Sequence, residues 1–224
     1  MPPGCLALAL VVALVLLLPV FLANVILLAL AKLGLSPGAS LLVLAGMLAG
    51  GLVNVPLRHL PRGEPIEVDS FGLFGFGRVL PRSARRRTTT VLAVNVGGCI
   101  VPASVAAYEL ARIAAQGATS LLAAGIAIGV NTAVCYRLAR PLPRVGIALP
   151  ALVPAVVAAL CALLLARDFA PPVAFSAGVL GPLLGADLLH LRQVARLGTG
   201  IASIGGAGTF DGIVMSGLLA TLLA

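Results

Sequence analysis

The fold class this sequence predicts is all-α: a polytopic bundle of membrane-spanning helices. Three observations lead there. Apolar runs of roughly 20 residues recur along the chain, the length a helix needs to cross a hydrocarbon core. Of the 224 residues, 60% are hydrophobic and only 10% charged. The mean hydropathy is +1.14, far above that of a soluble domain this long. Helices are the form such runs take, because in lipid every backbone polar group must be satisfied within its own segment.

About seven segments follow, near 6–31, 39–57, 93–113, 117–136, 146–166, 171–191 and 200–224, in a single integral membrane domain spanning 1–224. Pro37-Gly38, Gln116-Gly117, Pro141 to Pro143 and Pro171-Pro172 punctuate the connections. The first run is too long for a signal peptide's apolar region and has no basic stretch before it, so it is expected to be a retained helix. Basic residues then set the orientation. The loops after segments two, four and six hold Arg58, Arg62, Arg78, Arg82, Arg85, Arg86, Arg87, Arg137, Arg140, Arg144, Arg192 and Arg196. The opposite loops hold only Lys32, Arg112 and Arg167. By the positive-inside rule the N-terminus is cytoplasmic and the C-terminus outside.

The loop over 58–90 is the one sizeable polar stretch. Alternation in Pro65 to Ser70 and the β-prone run Thr88 to Val94 predict a small cytoplasmic β-hairpin. Arg85, Arg86 and Arg87 are expected to meet anionic lipid headgroups. The net charge of +8 has no aromatic interleaving and no nucleic-acid motif, so it does not point to nucleic acid. The four cysteines stand singly in apolar segments, which excludes a CxxC metal site or a disulfide framework. No cofactor or metal is expected. Glu109, near the outer end of segment three, is expected to snorkel outward.

Short matches recur in order along the chain. Ala31 to Pro37 pairs with Ala166 to Pro171, Gly51 to Leu57 with Leu184 to His190, and Asn95-Val96-Gly97-Gly98 with Ser203-Ile204-Gly205-Gly206. They predict a 3+1+3 duplication, with repeats over 1–113 and 146–224 joined by helix 117–136. Three helices plus a bridge restore the starting side, so the repeats run parallel, and a site at their interface is expected.

Two aspartates stand inside the apolar sequence of the second repeat. An ionisable group in hydrocarbon costs at least ~2.5–3.5 kcal/mol and usually faces a cavity with a role. Asp187 lies in Gly185-Ala186-Asp187 near the cytoplasmic end of segment six, with His190 three residues on. Asp211 follows Gly205-Gly206-Ala207-Gly208-Thr209-Phe210. Those glycines break segment seven: the chain enters extended, turns, and starts a half-helix with Thr209 as N-cap and Asp211 in the first turn. Segment three is broken in the same way after Asn95. The carboxylates can therefore meet in the cytoplasmic half of the bundle.

Two carboxylates that meet share one proton and activate water for peptide hydrolysis. Asp187 and Asp211 are then catalytic. Asn54, Asn95, Ser203, Gly205, Gly206, Gly208, Thr209 and Pro150 are candidate substrate contacts, the glycines for their close backbone approach. Pro150-Ala151-Leu152 is similar to the Pro-Ala-Leu element of presenilin-type and signal-peptide-peptidase-type intramembrane aspartyl proteases. Gly185-Ala186-Asp187 resembles their Gly-x-Gly-Asp motif without its first glycine. Alternatively, parallel three-helix repeats with a bridge resemble the SWEET sugar transporters. The aspartates would then be proton or cation sites of a small-solute transporter or channel, with Asn54, Asn95, Asn131 and Ser203 as polar ligands. A third alternative is a non-catalytic scaffold or sensor in which the acids pair with His190 or Arg192, or bond backbone amides freed by the glycines.

Four stretches, Leu138 to Pro150, Ala93 to Gly98, Gly185 to Leu189 and Ala202 to Ile213, together resemble the prokaryotic membrane family catalogued as domain of unknown function 1614. The resemblance spans nearly the whole chain. It implies an integral protein of a prokaryotic inner membrane and carries no activity with it.

Overall fold

The structure, a computed structural model, describes residues 3–60, 90–142, 146–150, 152–191, 193, 201–206 and 211–224. The opening helix α1 spans Pro3–Lys32 and α2 spans Pro37–Gly50. Between them Gly34 turns the chain at φ +78, a conformation side chains resist. Ser36 caps α2 by accepting from the Ala39 N–H at 3.3 Å, with Pro37 in the first turn.

After Gly50 the chain leaves the helix. Strand β1 (Asn54–Leu60) pairs antiparallel with β2 (Thr90–Asn95), from Asn54↔Asn95 to Leu60↔Thr90. A π-turn over Val96–Ile100 leads into α3 (Val101–Ala115), and α4 follows over Ala118–Leu138. Strands β3 (Arg140–Leu142) and β4 (Gly146–Ala148) make a second antiparallel pair. Then come α5 (Leu152–Leu165), a 3₁₀ turn, and α6 (Ala170–Pro182), which continues as a π-turn over Leu183–Leu188. Strand β5 (Ile201–Ile204) lies parallel to β2, from Val91↔Ile201 to Val94↔Ile204, giving the order β1-β2-β5. Helix α7 (Gly212–Leu223) closes the fold.

The expected all-α bundle is therefore mostly helical with two small sheets. Among the described residues four helical stretches are long and apolar enough to cross a membrane: Val15–Lys32, Val96–Ala115, Ala118–Leu138 and Arg167–Leu191. The other apolar helices, α2, α5 and α7, have 14, 14 and 12 residues. At 1.5 Å per residue they rise about 18–21 Å, short of a ~30 Å core. Segments 39–57, 146–166 and 200–224 thus each divide into a short helix and extended chain. Pro56, Pro150 and the glycines at 205 and 206 mark those divisions in the sequence. The hairpin expected within 58–90 is also different. Its second strand falls on Thr90–Asn95, but the partner is Asn54–Leu60, which begins in the assumed second helix and runs into the first residues of the loop. Residues 61–89, with Arg85, Arg86 and Arg87, lie outside the described residues.

Helix α6 is the centre of the bundle and packs against α3, α4, α5 and α7. Its glycines allow the approach. A Cβ at Gly178 would stand 2.8 Å from the Ser216 carbonyl oxygen on α7, and one at Gly181 would overlap Asn131 on α4. Small residues at such contacts are how membrane helices pack without a hydrophobic drive between them. The larger core residues, Phe175, Val179, Ile213, Val214 and Met47, form one buried cluster with Ile26 and Leu30 of α1 and Ile204 of β5. Outward leucines stay uncovered, Leu42 at 77% and Leu164 at 82%, as lipid-facing residues do.

The ends of the bundle differ. Lys32 Nζ donates to the Leu222 carbonyl at 3.1 Å, and Arg112 donates to the Leu33 carbonyl, so the C-termini of α1, α3 and α7 share one end. Helices α4 and α6 run parallel, with Asn131 beside Gly181 and the Tyr136 ring on His190. Their C-termini lie at the end that carries both sheets. Glu109 does not snorkel: it is fully buried, held by Arg112 at 2.9 Å.

Candidate functional site

At the sheet end, the chain places both aspartates at irregular turns. Asp187 sits on the π-turn that extends α6. Asp211 is the N-cap of α7, with φ −66 and ψ 151, and its Oδ1 accepts from the Ile213 N–H at 3.0 Å. Asp211 therefore precedes the helix, where the expectation put it in the first turn behind a Thr209 cap. Gly208 and Thr209 lie outside the described residues. A carboxylate at an N-cap faces the positive end of the helix dipole and satisfies an otherwise orphaned amide.

Asp187 and Asp211 line one cavity of about 70 Å³, with Ile147, Leu149, Pro182, Ala186, Gly212 and Ile213. That is room for several waters. The two carboxyl groups interact electrostatically, and Asp187 also accepts the Gly205 backbone N–H. Gly205 has φ +67 in the turn after β5, and a Cβ there would stand 2.7 Å from the Gly98 carbonyl carbon. Only glycine allows this turn to lie against the start of the α3 segment and reach Asp187.

Behind that turn stands a polar clamp. Asn95 is fully buried. Its Nδ2 donates to the Gly51 carbonyl at 2.8 Å and to Asn54 Oδ1 at 3.2 Å. Its Oδ1 accepts the Gly98 N–H at 2.7 Å, which caps the π-turn into α3. Ser203 Oγ donates to Asn54 Oδ1 at 2.6 Å. The three polar residues named as substrate contacts thus bind one another and join β1, β2 and β5. They do not line the cavity.

The remaining candidates divide. Gly205 touches Asp187, whereas Gly206 is exposed. Pro150 is also exposed, and its carbonyl accepts the Val153 N–H at 3.1 Å, while its neighbour Leu149 lines the cavity. Asn131, named as a transport ligand, is fully buried and donates to the Ala177 carbonyl at 2.8 Å. His190 Nδ1 lies on backbone carbonyls of its own helix, not on an acid. Arg192 is outside the described residues. Among the described residues no group of three His, Cys, Asp or Glu side chains gathers as a metal site.

Sequence reasoning missed the hairpin wall of Ile147 and Leu149, and it missed Pro182. The signals were present: prolines at 141 and 143 with Gly146 mark a tight reversal, and Pro182 sits five residues before Asp187.

The model of the family described as a protein of unknown function, DUF1614, matches residues 48–223, and the chain belongs to that family. No curated protein and no solved structure matches it.

Proposed function

We propose that this member of DUF1614 is an intramembrane diaspartyl hydrolase that cleaves a peptide bond at the sheet end of the bundle. The observation that carries this reading is that Asp187 and Asp211 line the same small cavity. In such a site one carboxyl is ionised and the other protonated. The ionised one removes a proton from a water held between them as the protonated one donates to the substrate carbonyl; the carboxyl that took the water's proton then gives it to the leaving nitrogen, while the tetrahedral diol returns a proton to the other carboxyl as the C–N bond breaks. The Gly205 N–H orients Asp187, and the Ile213 N–H orients Asp211. The cavity's apolar wall, Ile147, Leu149, Pro182 and Ile213, suits an apolar peptide segment.

Hydrolysis accounts for the polar groups better than transport does. A transport path needs polar groups free to bind solute on the way to the far face. The buried Asn131, Ser176 and Thr221 instead donate to the carbonyls of Ala177, Pro172 and Gly217, and the buried hydroxyls that lack a partner among the described residues, Ser40, Thr132 and Ser216, do not line the cavity of the two aspartates.

The rest of the proposal concerns placement. The protein sits in the inner membrane of a prokaryotic cell, with the N-terminus and the aspartate end cytoplasmic. Arg85, Arg86 and Arg87 meet anionic headgroups. The two strand-to-helix breaks, capped by Asn95 and Asp211, belong to two parallel repeats, and at the matched positions repeat one holds Asn54 and Asn95 where repeat two holds Asp187 and Ser203.

The test is cleavage of a library of single-span peptides by the full-length chain in lipid nanodiscs, read by mass spectrometry. Asp187→Asn and Asp211→Asn should each lower cleavage at least about 10³-fold. Asn caps a helix as well as Asp does, so Asp211→Asn removes the chemistry and leaves α7 folded. Cleavage that survives either substitution sinks the proposal.

A further inference from the structure

The direction of Asp187 is set by the last turn of α6. Beyond Pro182 the helix widens, and the Leu189 N–H donates to the Leu184 carbonyl five residues back. At 3.6 residues per turn, position 187 would lie about 140° round the helix from position 182. Pairing five residues apart instead returns the chain to the same face after one turn. Pro182 and Asp187 do both line the cavity.

A widened turn is less stable than an α-turn and persists where something holds it. His190 is placed to do so. Its Nδ1 lies 3.1 Å from the Gly185 carbonyl oxygen and 3.0 Å from that of Ala186, the two residues before Asp187. The ring is buried and rests on Tyr136 of α4, with centroids 4.8 Å apart. Gly185 brings α4 close at that level, since a Cβ there would overlap the Thr132 carbonyl.

We propose that His190 is the positioning residue of Asp187: its Nδ1–H clamps the Gly185 and Ala186 carbonyls and holds the widened turn that aims the carboxyl into the cavity. A carbonyl oxygen only accepts, so the hydrogen is on Nδ1, and in the neutral ring Nε2 is bare. The catalytic consequence rests on the hydrolase reading, but the positioning does not.

Two measurements on the full-length chain in nanodiscs test this, and neither uses hydrolysis. The chain has only two histidines, His59 and His190, so ¹⁵N-histidine spectra at alkaline pH, assigned with His59→Gln, report the neutral tautomer directly. An Nδ1–H tautomer at His190 is expected, and an Nε2–H tautomer overturns the proposal. The second measurement is disulfide formation between Leu149→Cys and Asp187→Cys, with the native cysteines replaced. His190→Phe keeps the ring contact and loses the donor. It should lower the yield at least about fivefold, the shift expected from one net hydrogen bond. His190→Asn, which returns an N–H at the same position, should restore the yield. The pair Leu149→Cys with Ile213→Cys reports that the cavity wall is intact. An unchanged yield in His190→Phe, or no rescue by Asn, overturns the proposal. If the wall pair fails too, the tautomer decides. The proposal can thus fail while Asp187→Asn still abolishes cleavage, and it can hold if no peptide is cleaved.

Discussion

Replacing Asn95 by alanine should be among the costliest single changes outside the cavity. The side chain is fully buried and makes three hydrogen bonds: to the Gly51 carbonyl, to Asn54 Oδ1, and from the Gly98 N–H. Hydrogen bonds in membrane proteins average only about 0.6 kcal/mol, so three of them alone give roughly 2 kcal/mol. The Gly98 N–H adds to this. It is buried and loses its cap, and an orphaned buried donor costs about 1–3 kcal/mol. Asn54 Oδ1 loses little, because Ser203 Oγ still donates to it. The sum is about 3–5 kcal/mol, or at least roughly a 100-fold shift in the folding equilibrium at 1.4 kcal/mol per tenfold. The chain has no tryptophan, so reversible denaturation in mixed micelles would be followed by far-UV circular dichroism. Ser203→Ala is the comparison. It loses one bond and should cost about 1 kcal/mol or less. If Asn95→Ala costs under about 1 kcal/mol, or no more than Ser203→Ala, the clamp does not hold the sheet to α3 and the reasoning is wrong.

Other expectations can be checked with the same preparation. Gly97→Ala should prevent folding, because a Cβ there would fall on the Met47 carbonyl and the Gly51 amide, which are backbone atoms that cannot yield. Gly125→Ala and Gly129→Ala on α4 meet open space and should change stability by no more than about 1 kcal/mol, in the stabilising direction. Arg112→Leu strips the partner from fully buried Glu109 and should cost about 2 kcal/mol, less than a fully buried pair because the arginine is 43% exposed. Adding Glu109→Leu should recover part of that, and a double variant no better than Arg112→Leu alone would show that the loss lies in the Leu33 carbonyl contact. Topology reporters fused near residue 75 and after residue 224 should read cytoplasmic and outside respectively, and the reverse result would overturn the proposed orientation.

Much of this molecule was legible in its residues because bilayer chemistry leaves few choices. Long apolar runs must be helices, and the stretches now seen as α1, α3, α4 and α6 stood out as such. Asp187 and Asp211 drew attention because an acid in apolar sequence has to be explained, and the glycines before Asp211 foretold extended chain, a turn, and then a helix. Local chemistry could not say where three other runs would stop being helical. Asn54 to Leu60 reads equally as the end of an apolar helix, and it becomes a strand because β2 lies beside it to take its hydrogen bonds. Nor could it say that Asn54, Asn95 and Ser203 would satisfy one another instead of facing a ligand, since Ser203 Oγ meets Asn54 across 149 positions of chain. The sequence by itself determined which segments are apolar, where the chain must bend, and which acids are out of place, all properties of neighbours along the chain. The tertiary structure alone decided that both acids face one cavity. That depended on a widened turn of α6, a glycine turn after β5 and a hairpin wall arriving together, and side-chain direction is fixed only when separate elements pack.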